Sequence, residues 1–135
     1  MPHGTVLIVE DDDSIRRLLM EYLEERMHLQ IEGARDGVDA LHQVSTRRFD
    51  VVILDLMMPY MSGVDFLSSL DALMSDPSVN KVMDEPPAVI VVTSMTPDDV
   101  SAAELQQRFP TFVHGVLRKP VDYSALLRRV ESLLT

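Results

Sequence analysis

The feature that most constrains this chain is a short apolar run that ends in an acid, Val51-Val52-Ile53-Leu54-Asp55. Four consecutive apolar residues, three of them β-branched, are typical of a strand that is buried on both faces. In an open parallel sheet, the carboxyl ends of the central strands open into the ligand-binding crevice, so Asp55 is expected where a reactive group would lie. Taken alone, Asp55 is also explained as a residue that caps a loop.

Strand patterns and helix patterns alternate along the whole sequence. Apolar runs rich in β-branched residues predict strands over residues 5–9, 29–34, 51–54, 88–93 and 112–117. The run at 29–34 alternates with polar residues, which is typical of a strand near the edge of a sheet. A helical pattern follows each strand. The sequence therefore predicts a five-stranded parallel sheet with helices on both faces and right-handed crossovers.

The predicted helices begin at N-capping residues and carry apolar stripes. The caps are Asp13 or Ser14 for the first helix, Asp36 for the second, Ser62 for the third and Thr96, followed by a proline, for the fourth. Spacing of three and four residues predicts the stripes that face the core. They are Ile15, Leu18, Leu19, Tyr22, Leu23 and Met27; then Val38, Leu41 and Val44; then Phe66, Leu67, Leu70 and Leu73; then Val100, Ala103, Leu105 and Phe109; and last Tyr123, Leu126, Leu127, Val130, Leu133 and Leu134. The fourth stripe is the thinnest, so that helix is expected to be the most weakly anchored.

Composition narrows the class of protein. A chain of 135 residues is expected to form one domain over residues 1–135 with a single core. It has no cysteine, no basic segment followed by an apolar one, and no apolar run long enough to cross a membrane, so we expect a cytoplasmic protein without membrane association. A net charge of -10 disfavours direct nucleic-acid binding and suits basic protein partners or divalent cations.

Four of the predicted strands end in residues that would meet at one edge of the sheet. Glu10 and Asp11 follow the first strand, Asp55 and Thr93 end the third and fourth, and Lys119 follows the fifth. Three carboxylates in one crevice repel one another unless a cation balances them, and such a cluster suits Mg²⁺. The ammonium group of Lys119 can pair with Asp55. The alternative is a solvated acidic helix start, with Thr93 and Lys119 as ordinary loop residues.

Together these features resemble the response-regulator receiver domain of two-component phosphorelays, over nearly the whole chain. The matching residues are Glu10-Asp11, Leu54-Asp55 with Met58-Pro59 and Gly63, Val92-Thr93-Ser94, and Lys119-Pro120. The resemblance implies a flavodoxin-like sheet of order 2-1-3-4-5 and signal transduction through a phosphoprotein. It implies no enzyme activity beyond the domain's own phosphorylation and dephosphorylation.

The resemblance also implies a role for each residue at this edge. Asp55 would accept a phosphoryl group from a histidine kinase or a phosphotransfer protein. Thr93 would donate a hydrogen bond to that group, and Lys119, before a cis proline bond, would form an ion pair with it. The implied ligands of Mg²⁺ are Glu10, Asp11, Asp55 and the backbone carbonyl of Met57. The downstream protein target would contact the face formed by the fourth helix, fifth strand and fifth helix.

The sequence departs from the family pattern at three places. Val116 stands where the family usually has an aromatic residue that moves together with the threonine. Met57 and Met95 stand two residues after Asp55 and Thr93, where side chains control water access, so we expect slow loss of the phosphoryl group. The stretch 75–87 is longer than is usual and serves either as a partner contact or as a passive loop.

Two other classes of function remain open from the sequence. One is an interaction module on the same fold that works without phosphorylation. The other is a Mg²⁺-dependent phosphohydrolase that uses the same aspartate. Haloacid-dehalogenase-type phosphatases place a second aspartate two residues after the nucleophile as the acid/base, and Met57 in that position argues against this class.

Overall fold

Five strands alternate with five helices in the part of the chain that the structure describes. This computed structural model describes residues 3–58, 60–76, 85–94 and 102–134. The strands are β1 (His3–Val9), β2 (His28–Ala34), β3 (Val51–Asp55), β4 (Ala88–Thr93) and β5 (Val113–Arg118). The helices are α1 (Asp13–Arg26), α2 (Gly37–Thr46), α3 (Gly63–Met74), α4 (Ala102–Arg108) and α5 (Tyr123–Leu134).

The strands form one parallel sheet in the order β2-β1-β3-β4-β5, the flavodoxin-like order that the sequence predicts. The alternating strand β2 lies at the edge, as expected, and all five residues of β3 are buried at the centre. Val9 pairs with Leu54, and Asp55 pairs with Val92. Because the register of these strands is aligned, the residues that follow them emerge at one edge of the sheet.

The alternation of side chains along the strands produces a core on each face of the sheet. One core cluster includes Leu7, Leu54 and Val91 and packs against α2, α3 and the end of α4, through residues such as Leu67 and Leu105. The second cluster lies on the opposite face, where α1 and α5 cover the sheet; it includes Ile8, Ile53, Val92, Leu23 and Leu126. Both faces of the sheet are thus buried, which explains why the central strands are almost continuously apolar.

The N-cap of α1 is Asp12, so the prediction of Asp13 or Ser14 is wrong. The Asp12 carboxylate accepts a hydrogen bond of 3.0 Å from the backbone N–H of Ile15. Three adjacent acids and a serine are all suitable caps by residue type, and the extended backbone at Asp12 decides between them. The other described caps agree with prediction: Asp36 accepts from the N–H of Asp39, and Ser62 from the N–H of Asp65.

Val38 points to solvent, although the sequence predicted that it faces the core. Its exposed fraction is 56%, while Gly37, Ala40 and Val44 are buried. The buried positions follow the spacing of three and four residues that starts at Gly37, because the glycine allows the helix start to lie close to Met61. The rest of the predicted stripe is confirmed, because Val44 is buried and Leu41 packs against the core.

Two residues of the predicted α1 stripe are also exposed. Ile15 and Leu18 are 38% and 54% exposed, whereas Leu19, Leu23 and Met27 are buried. The first two turns of α1 therefore carry apolar side chains that the core leaves partly exposed.

The predicted start of the fourth helix, at Thr96 and Pro97, lies outside the described residues. Within the described helix α4, Leu105 is buried and Ala103 is exposed, and the helix is followed by the buried Phe109. The middle of the stretch 75–87 also lies outside the described residues. No helix in the described ranges combines the length and the hydrophobicity that a membrane span requires.

Candidate functional site

The ends of four strands bring the predicted site residues to one edge of the sheet. Asp55 is the last residue of β3, and Thr93 is the last residue of β4. Glu10 directly follows β1, and its backbone N–H continues the ladder with a hydrogen bond of 3.1 Å to the carbonyl of Ala34. Lys119 directly follows β5. Each of these backbones is therefore fixed by the sheet.

Three carboxylates are close together at this edge. One oxygen each from Glu10, Asp11 and Asp55 lies within 4.8 Å of the others, and Glu10 and Asp55 are buried while Asp11 is exposed. Burial, with the hydrogen bond to Asp55 and the negative charge of Asp55, raises the pKa of Glu10 from 4.5 to about 7. The cluster is thus short of positive charge.

Lys119 supplies one positive charge to this cluster. Its Nζ donates a hydrogen bond of 3.0 Å to Oδ2 of Asp55 and lies 3.5 Å from Oε2 of Glu10. Burial alone would lower the pKa of Lys119, but the hydrogen bond and charge of Asp55, with the charge of Glu10, outweigh it and raise the pKa. The predicted cis bond between Lys119 and Pro120 is present.

The second oxygen of Asp55 is held by the chain that follows it. The backbone N–H of Met57 donates a hydrogen bond of 3.0 Å to Oδ1 of Asp55. Gly63 lies against this segment: its N–H donates to the carbonyl of Leu56, and a Cβ at this position would lie 2.7 Å from the Cα of Leu56. Only glycine leaves room for this approach, so the start of α3 fixes the backbone after Asp55.

Thr93 lies at the same edge, one residue beyond the position opposite Asp55. It is 1% exposed, and its carbonyl accepts a hydrogen bond of 2.9 Å from the N–H of Lys119. This bond connects the ends of β4 and β5. The backbone that bears the Thr93 hydroxyl is therefore hydrogen-bonded directly to the backbone of Lys119.

Arg16 supports the site and was not found from the sequence. Its guanidinium donates a hydrogen bond of 2.8 Å to the backbone carbonyl of Glu10 and also pairs with Asp13. The pair with Asp13 follows from helical spacing, but the bond to Glu10 depends on how α1 turns back over the end of β1. Arg16 helps to position the backbone at Glu10 and contributes no ligand atom for a metal ion.

The structure brings together four of the predicted residues, Glu10, Asp11, Asp55 and Lys119. The side chain of Met57 is 54% exposed, and its effect on water access to Asp55 stays a prediction. Val116 packs against the core on the α2–α3 face as an ordinary strand residue. Met95 lies outside the described residues.

The donor set at this edge fits Mg²⁺. The ion prefers oxygen ligands, uses one or two carboxylates and keeps several waters. Glu10 and Asp55 offer buried carboxylates and Asp11 offers one that faces solvent, which leaves an open side for water. A divalent cation would also relieve the charge crowding that raises the pKa of Glu10.

Comparisons with known proteins agree with the fold. Residues 6–131 match the family model of the response regulator receiver domain. The chain is 33% identical over 131 residues to a protein-glutamate methylesterase/protein-glutamine glutaminase of Hahella chejuensis, covering 96% of the chain and 34% of that protein. It is 30% identical over 131 residues to an uncharacterized response regulatory protein of Vibrio cholerae, covering 96% of the chain and 48% of that protein. The chain thus spans a third to a half of the length of these relatives.

Solved structures give the same result. The signal receiver domain of a putative LuxO repressor protein from Vibrio parahaemolyticus superposes with a TM-score of 0.79 at 28% identity, over 98% of this chain and 90% of that one. Chemotaxis protein CheY4 of Vibrio cholerae superposes with a TM-score of 0.75 at 28% identity, over 98% and 99%. Receiver domains are regulatory rather than enzymatic parts of signalling proteins. The family match over residues 6–131 agrees with the order of the sheet and with the carboxylates of Glu10, Asp11 and Asp55, which we call the acidic edge. The match shows that the chain belongs to the response regulator receiver domains.

Proposed function

We propose that Asp55 accepts a phosphoryl group from a phosphohistidine donor in the presence of Mg²⁺, and that the phosphorylated domain changes its contacts with other proteins. The observation that carries this proposal is the position of Asp55. It is a buried carboxylate at the end of the central strand, with two more carboxylates within 4.8 Å and an ammonium group at 3.0 Å.

Phosphoryl transfer to Asp55 requires positioning and positive charge, which the neighbouring residues provide. The Asp55 carboxylate forms a bond to phosphorus while the bond between phosphorus and the donor's imidazole nitrogen breaks, and the electron pair of that bond goes to the imidazole. A carboxylate is a weak nucleophile, so the transfer depends on in-line positioning and on neutralising the charge of the phosphoryl oxygens. The N–H of Met57 and the end of β3 hold Asp55 in place, and Lys119 supplies a positive charge beside it.

A bound Mg²⁺ would supply further positive charge to the transferring group. Glu10, Asp11, Asp55 and the backbone carbonyl of Met57 are the residues that would hold Mg²⁺, which neutralises negative charge on the transferring group when bound. The product carries about two negative charges at neutral pH. Lys119 can then exchange its bond to Asp55 for one to a phosphoryl oxygen, and the hydroxyl of Thr93 can donate a second.

The partners follow from the same edge of the sheet. A receiver domain is expected to meet a histidine kinase or a phosphotransfer protein. The exposed large apolar side chains in the described ranges are Ile15, Leu18, Val38, Met57 and Tyr60. Ile15 lines the same cavity as Glu10 and Asp55, and Met57 follows Asp55 by two residues. Exposed apolar side chains beside a charged site favour docking of a protein that must reach Asp55. The output face on α4, β5 and α5, the absence of nucleic-acid binding and the cytoplasmic location stay predictions.

Incubation with acetyl phosphate and Mg²⁺, followed by intact mass measurement, tests the proposal. We expect uptake of one phosphoryl group, lost in Asp55→Asn and in the presence of EDTA. Asp71→Asn is the matched control, because Asp71 is an exposed aspartate on α3 and should leave the uptake unchanged.

The same experiment separates the other two classes of function. A folded wild-type protein that takes up no phosphoryl group from acetyl phosphate or from a phosphorylated kinase supports an interaction module that works without phosphorylation. Turnover of many molecules of a phosphoester per protein supports a phosphohydrolase instead. Lys119→Met should reduce the uptake strongly, whereas Arg118→Met, which removes the neighbouring exposed cation, should not.

A further inference from the structure

A cavity of about 350 Å³ lies between α1 and α5, on the face of the sheet that these two helices cover. We call it the α1–α5 cavity. Its base and walls are apolar, and the residues that form them are Ile8, Ile15, Leu19, Ile53, Val92 and Tyr123. Three charged residues at the edge of the sheet, Glu10, Asp55 and Lys119, also line it, and we call this end of the cavity its mouth. Sites for small molecules in proteins have this size and this division between apolar walls and a few polar groups.

The apolar walls have no use in the proposed phosphotransfer. A phosphoryl group and a divalent cation are recognised by oxygen atoms, N–H groups and charges, all of which lie at the mouth. Ile8 and Ile53, at the base, are at most 2% exposed and offer only hydrocarbon surface. An apolar cavity of roughly 150 Å³ is enough to hold benzene. The α1–α5 cavity is more than twice as large, so it has room for two fused aromatic rings or an equivalent aliphatic group.

The charges at the mouth select the polar part of the ligand. Glu10 and Asp55 bring two carboxylates, Asp11 adds a third beside them, and Lys119 is the one ammonium group among the lining residues. That ammonium already contacts both Asp55 and Glu10, so it is not free to attract an anion. The remaining charge is negative, and it favours a cationic group over a neutral or an anionic one.

We propose that the α1–α5 cavity binds a small molecule with an apolar body and a protonated amine, whose amine contacts the carboxylates of Glu10 and Asp55. Because the same carboxylates are the proposed ligands of Mg²⁺, such a molecule competes with the ion and holds the domain in its unphosphorylated state. Occupation of the cavity depends on its shape and charge and requires no phosphoryl group on Asp55.

Titration of the full chain with 2-naphthylmethylamine, in EDTA and without a phosphodonor, tests this proposal. Two-dimensional NMR should show saturable shifts for the amides of Ile15, Leu19 and Tyr123. The uncharged analogue 2-naphthylmethanol should bind about tenfold or more weakly, since the amine forms charge-assisted hydrogen bonds, and 2-naphthylacetate should bind more weakly again. Equal affinity for the three compounds, or no saturable shift at these residues, overturns the proposal.

Two variants and the metal ion locate the ligand. Val121→Phe places a larger ring in the cavity, which Val121 lines, and should reduce amine binding at least tenfold; the matched control Val38→Phe, on exposed α2 surface, should not. Glu10→Gln should weaken the amine and leave the alcohol unchanged. Added Mg²⁺ should raise the apparent dissociation constant of the amine. Wild-type affinity for the amine in both Val121→Phe and Glu10→Gln overturns the proposal. These binding measurements use no phosphodonor, so their outcome is independent of whether Asp55 accepts a phosphoryl group.

Discussion

The acidic edge should make the stability of the metal-free protein fall as the pH rises, and Glu10→Gln should remove that fall. In the folded protein the pKa of Glu10 is about 7, against 4.5 for an ordinary glutamate. The folded state therefore holds a proton on Glu10 at pH values where the unfolded state has released it. This contribution to stability is fully present below pH 4.5 and is lost as the pH rises through 7.

The size of the effect follows from the two pKa values. Each pH unit between them corresponds to about 1.4 kcal/mol, so the full difference corresponds to about 3 kcal/mol. Most of it, about 2 to 3 kcal/mol, should be lost between pH 5 and pH 8. Lys119 stays charged over this range because its pKa is raised, so it does not add to the change.

Urea denaturation in EDTA at pH 5, 6, 7 and 8 measures this effect. The free energy of unfolding of Glu10→Gln, minus that of the wild type, should increase by about 2 to 3 kcal/mol between pH 5 and pH 8. Comparing the two pH values cancels any change in packing caused by the substitution itself. Glu21→Gln, on the exposed side of α1, is the control and should follow the wild type.

A saturating concentration of Mg²⁺ should abolish the pH dependence of the wild type, because the ion stabilises the ionised carboxylate. Parallel stability curves for the wild type and Glu10→Gln in EDTA would refute the reasoning. They would show that neither burial nor the charge of Asp55 raises the pKa of Glu10 in the folded protein.

Three further predictions concern the segments around Asp55. Gly63→Ala should lower the free energy of unfolding by about 2 kcal/mol or more in urea denaturation, because the new Cβ meets the backbone of Leu56. In the control Gly37→Ala the new Cβ meets only the flexible side chain of Met61, so the loss of stability should be clearly smaller. Equal losses in the two variants would contradict this. Asp12→Ala should cost about 1 kcal/mol of stability through the lost cap and leave phosphoryl uptake from acetyl phosphate intact, and loss of uptake in the folded variant would count against a purely capping role. Met57→Asn should shorten the lifetime of the acyl phosphate severalfold by admitting water, as measured by intact mass over time; a wild-type half-life of seconds would contradict slow loss.

The strands and their order could be predicted because burial on two faces leaves a strong signal in the sequence. The run that ends in Asp55 is apolar at every position, and the structure buries all of β3. The edge position of β2 also followed from its alternating pattern. The juxtaposition of Glu10, Asp55 and Lys119 needed only the rule that parallel strands end at the same edge.

Details that depend on the relative position of elements could not be predicted. The choice of Asp12 as the cap rests on one backbone conformation among several residues of equal capping ability. The exposure of Val38 and Leu18 depends on how each helix is rotated against the sheet. The bond from Arg16 to Glu10 and the α1–α5 cavity depend on packing between residues that are far apart in the chain, which a one-dimensional pattern does not contain.

Val116 has a consequence for how a partner can recognise the state of the domain. A β-branched side chain in a strand has little freedom at χ1, and Val116 is partly buried against the core, opposite Val91. We therefore expect the middle of β5 to present the same surface whether or not Asp55 carries a phosphoryl group. A protein that contacts only this part of β5 would bind the phosphorylated and the unphosphorylated domain with equal affinity. We expect discrimination to come from the neighbourhood of Thr93 and Lys119, where one backbone hydrogen bond joins the two residues.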